Sequence, residues 1–449
     1  MSRIRSRKAI TRWWCPRPLA RGEIAAVVDG YARAAARVRE AGFDAIEIQG
    51  AHDYLIAQFL SPLDNRREDE YGGNLPGRAR FALEVVRACR AAAGNMPISF
   101  RMNGDECAAG GFGLDDACTL APLLERAGAD ILHVSGGSHR SRPCAVITCA
   151  PMAYPDGIFL LQAAVKRAAN LPIIAVGRLH DPHVAEQALT GGNADLVAVG
   201  RALLEDPEWP RKVTDGRTAD IRPCLACNTC VMELRSGRPV GCLVNPACAH
   251  ELDLPDASVA ARRRVAVVGG GPAGLNAALR LAERGHDVSL HEAANESGGQ
   301  FRLAALAPVF QDVACVPERL TRYLAYLERR ARAEGVQMHL GSRVRTGALD
   351  AASLDVVVLA LGAPYRRPWR WLLPWLLRTG WARRWPFRVV AARPWVQEWL
   401  LTRARQTAPG MAAGIRAAHL AVWEIGDGVA PRGSMEAVRE AWRVACDVS

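Results

Sequence analysis

The sequence predicts an α/β fold made of a partial (β/α)8 barrel, a cysteine-rich connector and a Rossmann-like nucleotide-binding domain. Two observations carry this prediction. Between about residues 22 and 212, helical patterns alternate with five short apolar runs, which predicts parallel strands. From Arg264 onward, a strand, a glycine-rich turn, a helix and a second strand form one βαβ unit. We therefore place the domains at 1–212, 213–260 and 261–449.

The five apolar runs are the predicted barrel strands. They are Asp44–Gln49, Met96–Arg101, Ile131–Ser135, Pro172–Gly177 and Leu196–Gly200. The last two runs each end in Gly-Arg followed by a new helix, which is where a (β/α)8 barrel builds a phosphate site from the loops after strands 7 and 8. The five runs are therefore strands 4 to 8, and we expect functional residues at their carboxyl ends.

Composition and charge exclude several classes of protein. The 449 residues are 23% charged and 50% hydrophobic, with a mean hydropathy of -0.02, which excludes disorder, collagen and coiled coil for the whole chain. We expect a cytoplasmic protein, since neither a transmembrane run nor a signal peptide is evident. The net charge of +11 comes mostly from residues 366–405, which hold ten arginines and one acid. We therefore expect no nucleic-acid partner.

A glycine-rich turn follows the first strand of the second pattern. Its key residues are Gly269, Gly271, Ala273 and Gly274. Glycines here let the backbone approach a pyrophosphate at the start of a helix, and Glu292, which closes the next strand, can hold ribose hydroxyls. The pattern predicts dinucleotide binding. Two later strand ends, at Gly362 and before Asp427, are expected to face the same nucleotide, with ordinary turns as the alternative.

Four cysteines crowd the connector. They are Cys224, Cys227, Cys230 and, after eleven further residues, Cys242. Three thiols on one tight loop favour a [4Fe-4S] cluster, because a structural zinc site usually pairs two separate C-x-x-C turns. Zinc is the second interpretation, and unliganded thiols are the third. We expect Cys248 to be a buried thiol outside this set.

Polar residues follow the first three predicted strands. Gln49, His52 and Tyr54 follow the first, Arg101 ends the second, and His139 lies in the loop after the third. Side chains at these positions project into the mouth of a barrel. His52 can donate a hydrogen bond or act as a base, Tyr54 can relay a proton, and Arg101 can stabilise negative charge. Each also has an ordinary alternative as a packing, salt-bridging or solvated residue.

Several short strings, in this order along the chain, match one known family. They are 42–48 (Gly-Phe-Asp-Ala-Ile-Glu-Ile), Gln58–Pro62, Asn65-Arg66, Tyr71–Gly73, Gly177-Arg178 with Asp181-Pro182, Gly200-Arg201 with Asp206-Pro207, and the cysteine cluster leading to Asn245-Pro246. Together they resemble the old yellow enzyme superfamily, and specifically its iron-sulfur branch, which includes 2,4-dienoyl-CoA reductase and trimethylamine dehydrogenase. The likeness covers about 18–365 and 421–445.

The resemblance implies three bound groups and an electron path. FMN is expected on Arg101, Gly177, Arg178, Gly200 and Arg201, and FAD or an ADP moiety on Gly269, Gly271, Gly274, Glu292, Gln300 and Asp427. The [4Fe-4S] cluster would connect a small-molecule substrate at FMN with the second nucleotide, and NAD(P)H is a further cofactor candidate. Tyr54 matches the proton donor of the reductases, whereas His52 matches the histidine of the amine dehydrogenases. Gln49 stands where relatives have His or Tyr, which leaves the reaction type open.

Two departures from the family pattern lead to further expectations. Only about 20 residues precede the helix leading to strand 4, so we expect an N-terminally truncated product, a mis-assigned start, or one half of a split protein. A partner subunit would then supply strands 1 to 3. The alternative functions are an amine dehydrogenase or N-demethylase, and a non-catalytic electron-transfer subunit or remnant.

The second departure is the segment 366–405, which holds seven tryptophans where the reductases insert a second nucleotide domain. Without that domain, a separate electron-carrier protein becomes a candidate partner. We expect the segment to pack as an amphipathic element or form a subunit interface, as in a homo-oligomer. A membrane-surface helix and a nucleic-acid face are the alternatives.

Overall fold

The computed structural model describes most of the chain. The described residues are 17–138, 149–157, 159–253, 261–310, 313–345, 349, 353–363, 369–384, 387–391, 393, 396, 399, 421–425 and 434–448. The chain divides into two compact units. The first takes in 1–148, 158–177 and 186–198, and the second takes in 149–157, 178–185 and 199–449. The predicted domain boundaries near 212 and 260 stay a prediction.

A five-stranded parallel sheet forms the centre of the first unit. Its strands are β1 (Ile46–Gly50), β2 (Ile98–Asn103), β3 (Ile131–Ser135), β4 (Ile173–Val176) and β5 (Leu196–Ala198). Each strand pairs with the next one along the chain, in the order β1-β2-β3-β4-β5. This confirms the prediction of an α/β fold with parallel strands. The runs begin or end within about three residues of the predicted limits, which is the usual uncertainty at element ends.

Helices follow the strands of this sheet, as alternating βα units require. They are α1 (Arg21–Glu40), α2 (Leu55–Leu60), α3 (Leu75–Ala93), α4 (Leu114–Ala127) and α5 (Phe159–Lys166), and α6 (Pro182–Thr190) connects β4 to β5. The side chain of Asn74 caps α3 by accepting the N–H of Gly77. The core of the unit is fully buried, with Phe81, Phe100 and Leu124 among its largest side chains.

At three places, an aspartate just before one strand forms two hydrogen bonds with the first residue of the neighbouring strand. The pairs are Asp130 with Ile98, Asp195 with Ile173, and Asp355 with Arg264, the last pair lying in the second unit. In each pair the aspartate N–H donates to the partner's carbonyl, and its carboxylate accepts the partner's N–H at 2.7, 2.9 and 2.8 Å respectively. The carboxylate thus provides an acceptor for a backbone donor at the edge of the sheet.

The second unit contains a second parallel sheet. Its strands are β6 (Arg264–Val268), β7 (Asp287–His291), β10 (Gln337–His339), β11 (Val356–Leu359) and β12 (Ala421–Glu424), and a separate antiparallel pair is formed by β8 (Val309–Phe310) and β9 (Val313–Ala314). The order in the sheet is β10-β7-β6-β11-β12. Its central strand β6 and neighbour β11 are rich in buried valine, which is typical of strands covered on both faces.

The helices of the second unit surround this sheet and include the connector. They are α7 (Arg201–Glu205), α8 (Trp209–Thr214), α9 (Thr229–Arg235), α10 (Pro272–Glu283), α11 (Gly299–Leu306), α12 (Pro317–Ala333), α13 (Trp369–Arg378), α14 (Phe387–Ala391) and α15 (Ser434–Asp447). Helix α10 packs between β6 and β7 on one side and α12 and α15 on the other. Among the helices described here, none has the length and apolarity needed to cross a bilayer.

The described part of 366–405 packs through one side only. Arg383 donates to the backbone carbonyls of Ala305 and Leu306 at the end of α11. Trp371 and Trp375 on α13 are exposed. Whether this exposed side forms a subunit interface stays a prediction.

We expect Asp195→Ala to lower the free energy of unfolding by about 1–2 kcal/mol, because the N–H of Ile173 loses its acceptor. Asp195→Asn keeps an amide oxygen and is expected to cost less. The hydrogen bond from Lys166, and then that from Ile173, lower the pKa of the Asp195 carboxyl. This contribution is therefore present above the ordinary aspartate pKa of about 4 and is lost as the pH falls through the lowered value.

Urea unfolding at neutral pH and at about pH 3 measures both effects. Asp29→Ala is the matched control, since Asp29 pairs with Arg33 at an exposed position and is expected to contribute little. If Asp195→Ala and Asp29→Ala had the same free energy of unfolding at neutral pH, the proposed contribution of the hydrogen bond between Asp195 and Ile173 would be contradicted.

Candidate functional site

The parallel register brings three polar side chains to one level of the first sheet. Gln49 on β1 lies beside Arg101 on β2, which lies beside His133 on β3. The Nε atom of Arg101 is buried and has no hydrogen-bond partner within the described residues. The Oδ1 atom of Asn103, at the end of the same strand, is in the same state. Unpaired buried polar atoms at the carboxyl end of a strand are typical of groups that bind a ligand.

His52 lies in the turn that follows β1. Its Nε2 atom forms a 2.8 Å hydrogen bond with the hydroxyl of Ser135 at the end of β3, and the ring is largely buried. His52 and Asp53 both have positive φ, at 57° and 62°. Such backbone strain in non-glycine residues is concentrated at functional sites.

Of the other two predicted catalytic residues, Tyr54 and His139, the structure describes only Tyr54. Tyr54 caps the start of α2 through its backbone, and its side chain is 60% exposed. A proton relay through this hydroxyl therefore stays a prediction. His139 lies outside the described residues.

A second polar network extends across the same strands. The carboxylate of Glu47 accepts hydrogen bonds from the Ser99 hydroxyl at 3.0 Å and from Nδ1 of His133 at 2.8 Å. Burial alone would raise the pKa of Glu47, but the hydrogen bond and charge of His133, with Ser99, lower it overall. The carboxylate is therefore ionised at neutral pH and holds His133 in a fixed orientation next to Arg101.

All four predicted cysteines of the connector line one small cavity in the second unit. Two non-glycine residues with positive φ, Ala226 at 50° and Asn228 at 59°, curl the loop between the first three cysteines. The N–H of Ala226 donates to the sulfur of Cys224 at 3.4 Å. The loop thus turns its thiols toward a common space.

Thiol sulfur is the ligand type that iron-sulfur clusters use. Within the described ranges, no three His, Cys, Asp or Glu side chains stand close enough together to ligate a metal ion as placed. The ligand set therefore stays a prediction, supported by donor type and by the shared cavity. Cys248 is buried and does not line the cavity, which agrees with its expected place outside the set.

Burial raises the pKa of all four thiols. The rise brings Cys230 to about 11, and Cys224 and Cys242 are raised further. The charge of Arg201 acts in the opposite direction on Cys224, Cys227 and Cys230. Because a metal ligand must be a thiolate, loading of this site requires release of protons and becomes harder at low pH.

The family resemblance implies Arg178 as one of the residues that contact the FMN phosphate, and this role stays a prediction. Its guanidinium is fully buried and donates to Asp156 at 3.0 and 2.6 Å and to the carbonyl of Pro151 at 2.5 Å. Arg319 donates to the other oxygen of the same carboxylate at 2.6 Å. The side-chain donors of Arg178 are thus used within the protein, and a phosphate role for the backbone at Gly177 and Gly200 stays a prediction.

The glycine-rich turn brings backbone segments into close contact, and its binding of a dinucleotide stays a prediction. Gly269 has a φ of 109°, and a Cβ atom there would lie 2.2 Å from the carbonyl oxygen of Ala360. A Cβ atom on Gly274 would lie 1.8 Å from the carbonyl oxygen of Gly269. Gly271, the residue before α10, has no heavy atom within 4 Å of its Cβ position. The first and last glycines therefore close the turn, and the middle one leaves open space at the start of the helix.

Glu292 organises the loops around this turn. Its carboxylate accepts the N–H of Gly270 at 2.7 Å and that of Ala294 at 2.8 Å. Nε2 of Gln300 donates to the carbonyl of Ala363 at 2.5 Å. Glu292 directly follows β7, and Gln300, which lies in α11, contacts the segment after β11. Asp427 lies outside the described residues.

Family comparison covers both sides of the cysteine loop. The model of the NADH:flavin oxidoreductase / NADH oxidase family matches residues 4–220. Over these residues the chain belongs to that family. Residues 263–370 match the pyridine nucleotide-disulphide oxidoreductase family. The resemblance found in the sequence is confirmed.

Two curated relatives share more than a third of their aligned residues with this chain. NADH oxidase from Thermoanaerobacter brockii is 38% identical over 356 residues, covering 78% of this chain and 53% of that protein. N,N-dimethylglycine/sarcosine dehydrogenase from Chromohalobacter salexigens is 38% identical over 347 residues, covering 76% and 49%. The chain thus spans about half the length of the curated relatives it matches.

Solved structures support the fold. The 2-naphthoyl-CoA reductase complex with 2-naphthoyl-CoA has a TM-score of 0.84 at 23% identity, covering 96% of this chain and 77% of that chain. Histamine dehydrogenase from Rhizobium sp. 4-9 has a TM-score of 0.80 at 22% identity, covering 96% and 78%. These likenesses show that the chain shares the fold of these two proteins.

Several residues of the site were not predicted from the sequence. Ser135 contacts His52, Glu47 holds His133, and Asn228 contacts Arg201. Of these residues, Asn228 could have been found most easily from the sequence, because it lies inside the cysteine motif. Glu47 and His133 belong to different strands, and only the register places them together.

We expect Gly274→Ala to destabilise the second unit by about 1–3 kcal/mol, because the new methyl group overlaps a backbone carbonyl. Gly271→Ala has room and an ordinary φ of -73°, so it should keep the melting temperature and affect only nucleotide retention. Thermal unfolding and the FAD content of purified protein separate the two effects. A melting temperature of Gly274→Ala equal to that of the wild type would show that the turn is not closed as described.

Proposed function

We propose that this chain is a flavin- and [4Fe-4S]-dependent oxidoreductase that moves electrons between a small-molecule substrate and a second nucleotide cofactor. The observation that carries the proposal is the cavity lined by four cysteines. In the sequence, these cysteines lie between the two family matches. In this proposal the first sheet is the strand 4 to 8 part of a TIM barrel for FMN, and the second is a Rossmann-like domain for FAD.

The first site would hold FMN through two buried atoms that have no hydrogen-bond partner among the described residues. FMN supplies the hydride-accepting centre when bound. The Nε of Arg101 can donate to a negatively charged ring, and Oδ1 of Asn103 can accept a hydrogen bond from a ring N–H. His52, fixed by Ser135, orients the substrate, and exposed Tyr54 holds or delivers a proton. Gln49 lies beside Arg101 and extends the same polar surface.

The second site would hold FAD or an ADP moiety at the start of α10. The turn closed by Gly269 and Gly274 would bring a pyrophosphate to the start of α10, where Gly271 leaves space for it. Glu292 holds the turn in this shape and presents its carboxylate near the ribose position. NAD(P)H remains a proposed electron donor, and an electron-carrier protein is the alternative.

A second candidate function is the oxidation of an N-methylated amine. It is favoured by the dehydrogenase relative that is 38% identical and by a second relative, probable N-methylproline demethylase from Rhizobium meliloti, that is 33% identical. The two functions differ in the direction of electron flow at the same site. Substrate tests therefore distinguish them.

The deciding experiment is anaerobic purification of the 449-residue chain followed by measurement of FMN, FAD and iron per polypeptide. FMN, FAD and about four irons would support the proposal in full. FAD and iron without FMN would contradict the catalytic proposal for this chain and favour an electron-transfer subunit that needs a partner.

We expect Cys230→Ser and Cys242→Ser to lose most of the bound iron, since each removes one thiolate from the cavity. Cys248→Ser is the matched control, because that thiol belongs to the same connector and is buried but does not line the cavity. Iron content and the visible absorption of the cluster report the result. Retention of a full iron complement in both cavity variants would exclude these residues as ligands.

The direction of the reaction can be tested on protein that contains FMN. Oxidation of an N-methyl amine predicts bleaching of the flavin and release of formaldehyde, whereas reduction of an activated alkene predicts reoxidation of reduced enzyme by that alkene. His52→Ala is expected to lower either rate by a factor of about 10²–10⁴, because the ring positions or protonates the substrate. An unchanged rate would remove His52 from the site.

A further inference from the structure

The geometry points to Arg201 as the source of positive charge in the cysteine cavity, and we propose that it raises the reduction potential of the cluster bound there. The inference rests on the proposed function, since it requires the four cysteines to hold a cluster. It assigns the guanidinium a different role from the phosphate binding that the family resemblance implies.

Two hydrogen bonds fix the guanidinium. Nη1 of Arg201 donates to Oδ1 of Asn228 at 2.5 Å, and Nη2 donates to the carbonyl of Ala150 at 2.9 Å. Asn228 is itself held by donation from its Nδ2 to the carbonyl of Cys149 at 2.8 Å. Because Asn228 belongs to the loop that carries three of the cysteines, the charge is attached directly to the predicted ligand loop.

The cavity around this charge is apolar. Apart from the cysteines, Asn228 and Arg201, its lining residues are Leu204, Leu225, Ala226, Leu243 and Val244. Arg201 is the single charged residue among the described residues that line the cavity. A charge in such surroundings acts more strongly than one in water, because little solvent screens it.

The guanidinium lines the same cavity as the four cysteines and is hydrogen-bonded to the loop that carries three of them. A cluster bound to these cysteines would place its own negative charge in the same space.

The effect on redox chemistry follows from charge alone. Reduction of a cluster adds one electron, and no bond forms or breaks in this step. A fixed cation stabilises the more negative, reduced state, and so raises the reduction potential. Its neutral replacement should lower the potential.

The test uses the anaerobically purified full chain and compares Arg201→Gln, Arg201→Lys and Arg211→Gln. Redox titration followed by electron paramagnetic resonance measures the midpoint potential of the cluster. We expect Arg201→Gln to lower it and Arg201→Lys to keep it close to the wild-type value. Arg211→Gln removes the same charge from an exposed position that does not line the cavity, and should leave the potential unchanged.

An Arg201→Gln potential equal to that of Arg211→Gln would overturn the proposal. Loss of FMN from Arg201→Gln with an unchanged cluster potential would also overturn it, and would return the guanidinium to the flavin phosphate. If Arg201→Gln cannot retain iron, the lysine variant decides. Retention of iron by Arg201→Lys supports a requirement for positive charge. Equal loss of iron from both variants would show that the two hydrogen bonds of the Arg201 guanidinium only shape the loop, which would overturn the proposal. Absence of iron from the unmodified chain would contradict the proposed function itself.

Discussion

Parallel strand pairing is the constraint on which both candidate nucleotide sites depend. In a parallel sheet the carboxyl ends of all strands lie at the same edge. Residues that are far apart in the sequence therefore lie close together there. Gln49, Arg101 and His133 share one level of the first sheet for this reason. In the second sheet, the turn at Gly269 and the carboxylate of Glu292 follow adjacent strands and meet in the same way.

Parallel sheets also leave backbone donors unpaired where strands begin. The aspartates at 130, 195 and 355 each accept one of these donors and return their own N–H to the same residue. The same arrangement, an aspartate directly before a strand, thus recurs in both units. It places stabilising carboxylates at the amino ends of the sheets and keeps them apart from the carboxyl ends that hold the proposed chemistry.

In the cysteine cavity, burial of the thiols opposes the effect of a nearby positive charge. Four thiols in an apolar cavity resist ionisation, since burial raises their pKa values. A cluster needs thiolates, so the protein must offset part of that cost within the cavity. Arg201 provides the positive charge, and its attachment to Asn228 keeps that charge beside the ligand loop. The same interaction that permits metal loading would then influence the electron affinity of the loaded site.

The sequence by itself determined the elements whose signals are local. Alternating apolar runs predicted five parallel strands, the spacing of glycines predicted the turn at 269–274, and the spacing of cysteines predicted that Cys224 and its partners belong together. Each signal depends on backbone conformation or on neighbours along the chain.

Only the tertiary structure decided which distant side chains meet. It paired His52 with Ser135, turned the Arg178 side chain to Asp156, and brought Arg201 to the thiols. Sequence spacing could not show this, because hydrogen-bond partners are chosen by strand register and by loop paths. A buried guanidinium binds the nearest fixed acceptor, and that acceptor is defined only after the chain has folded.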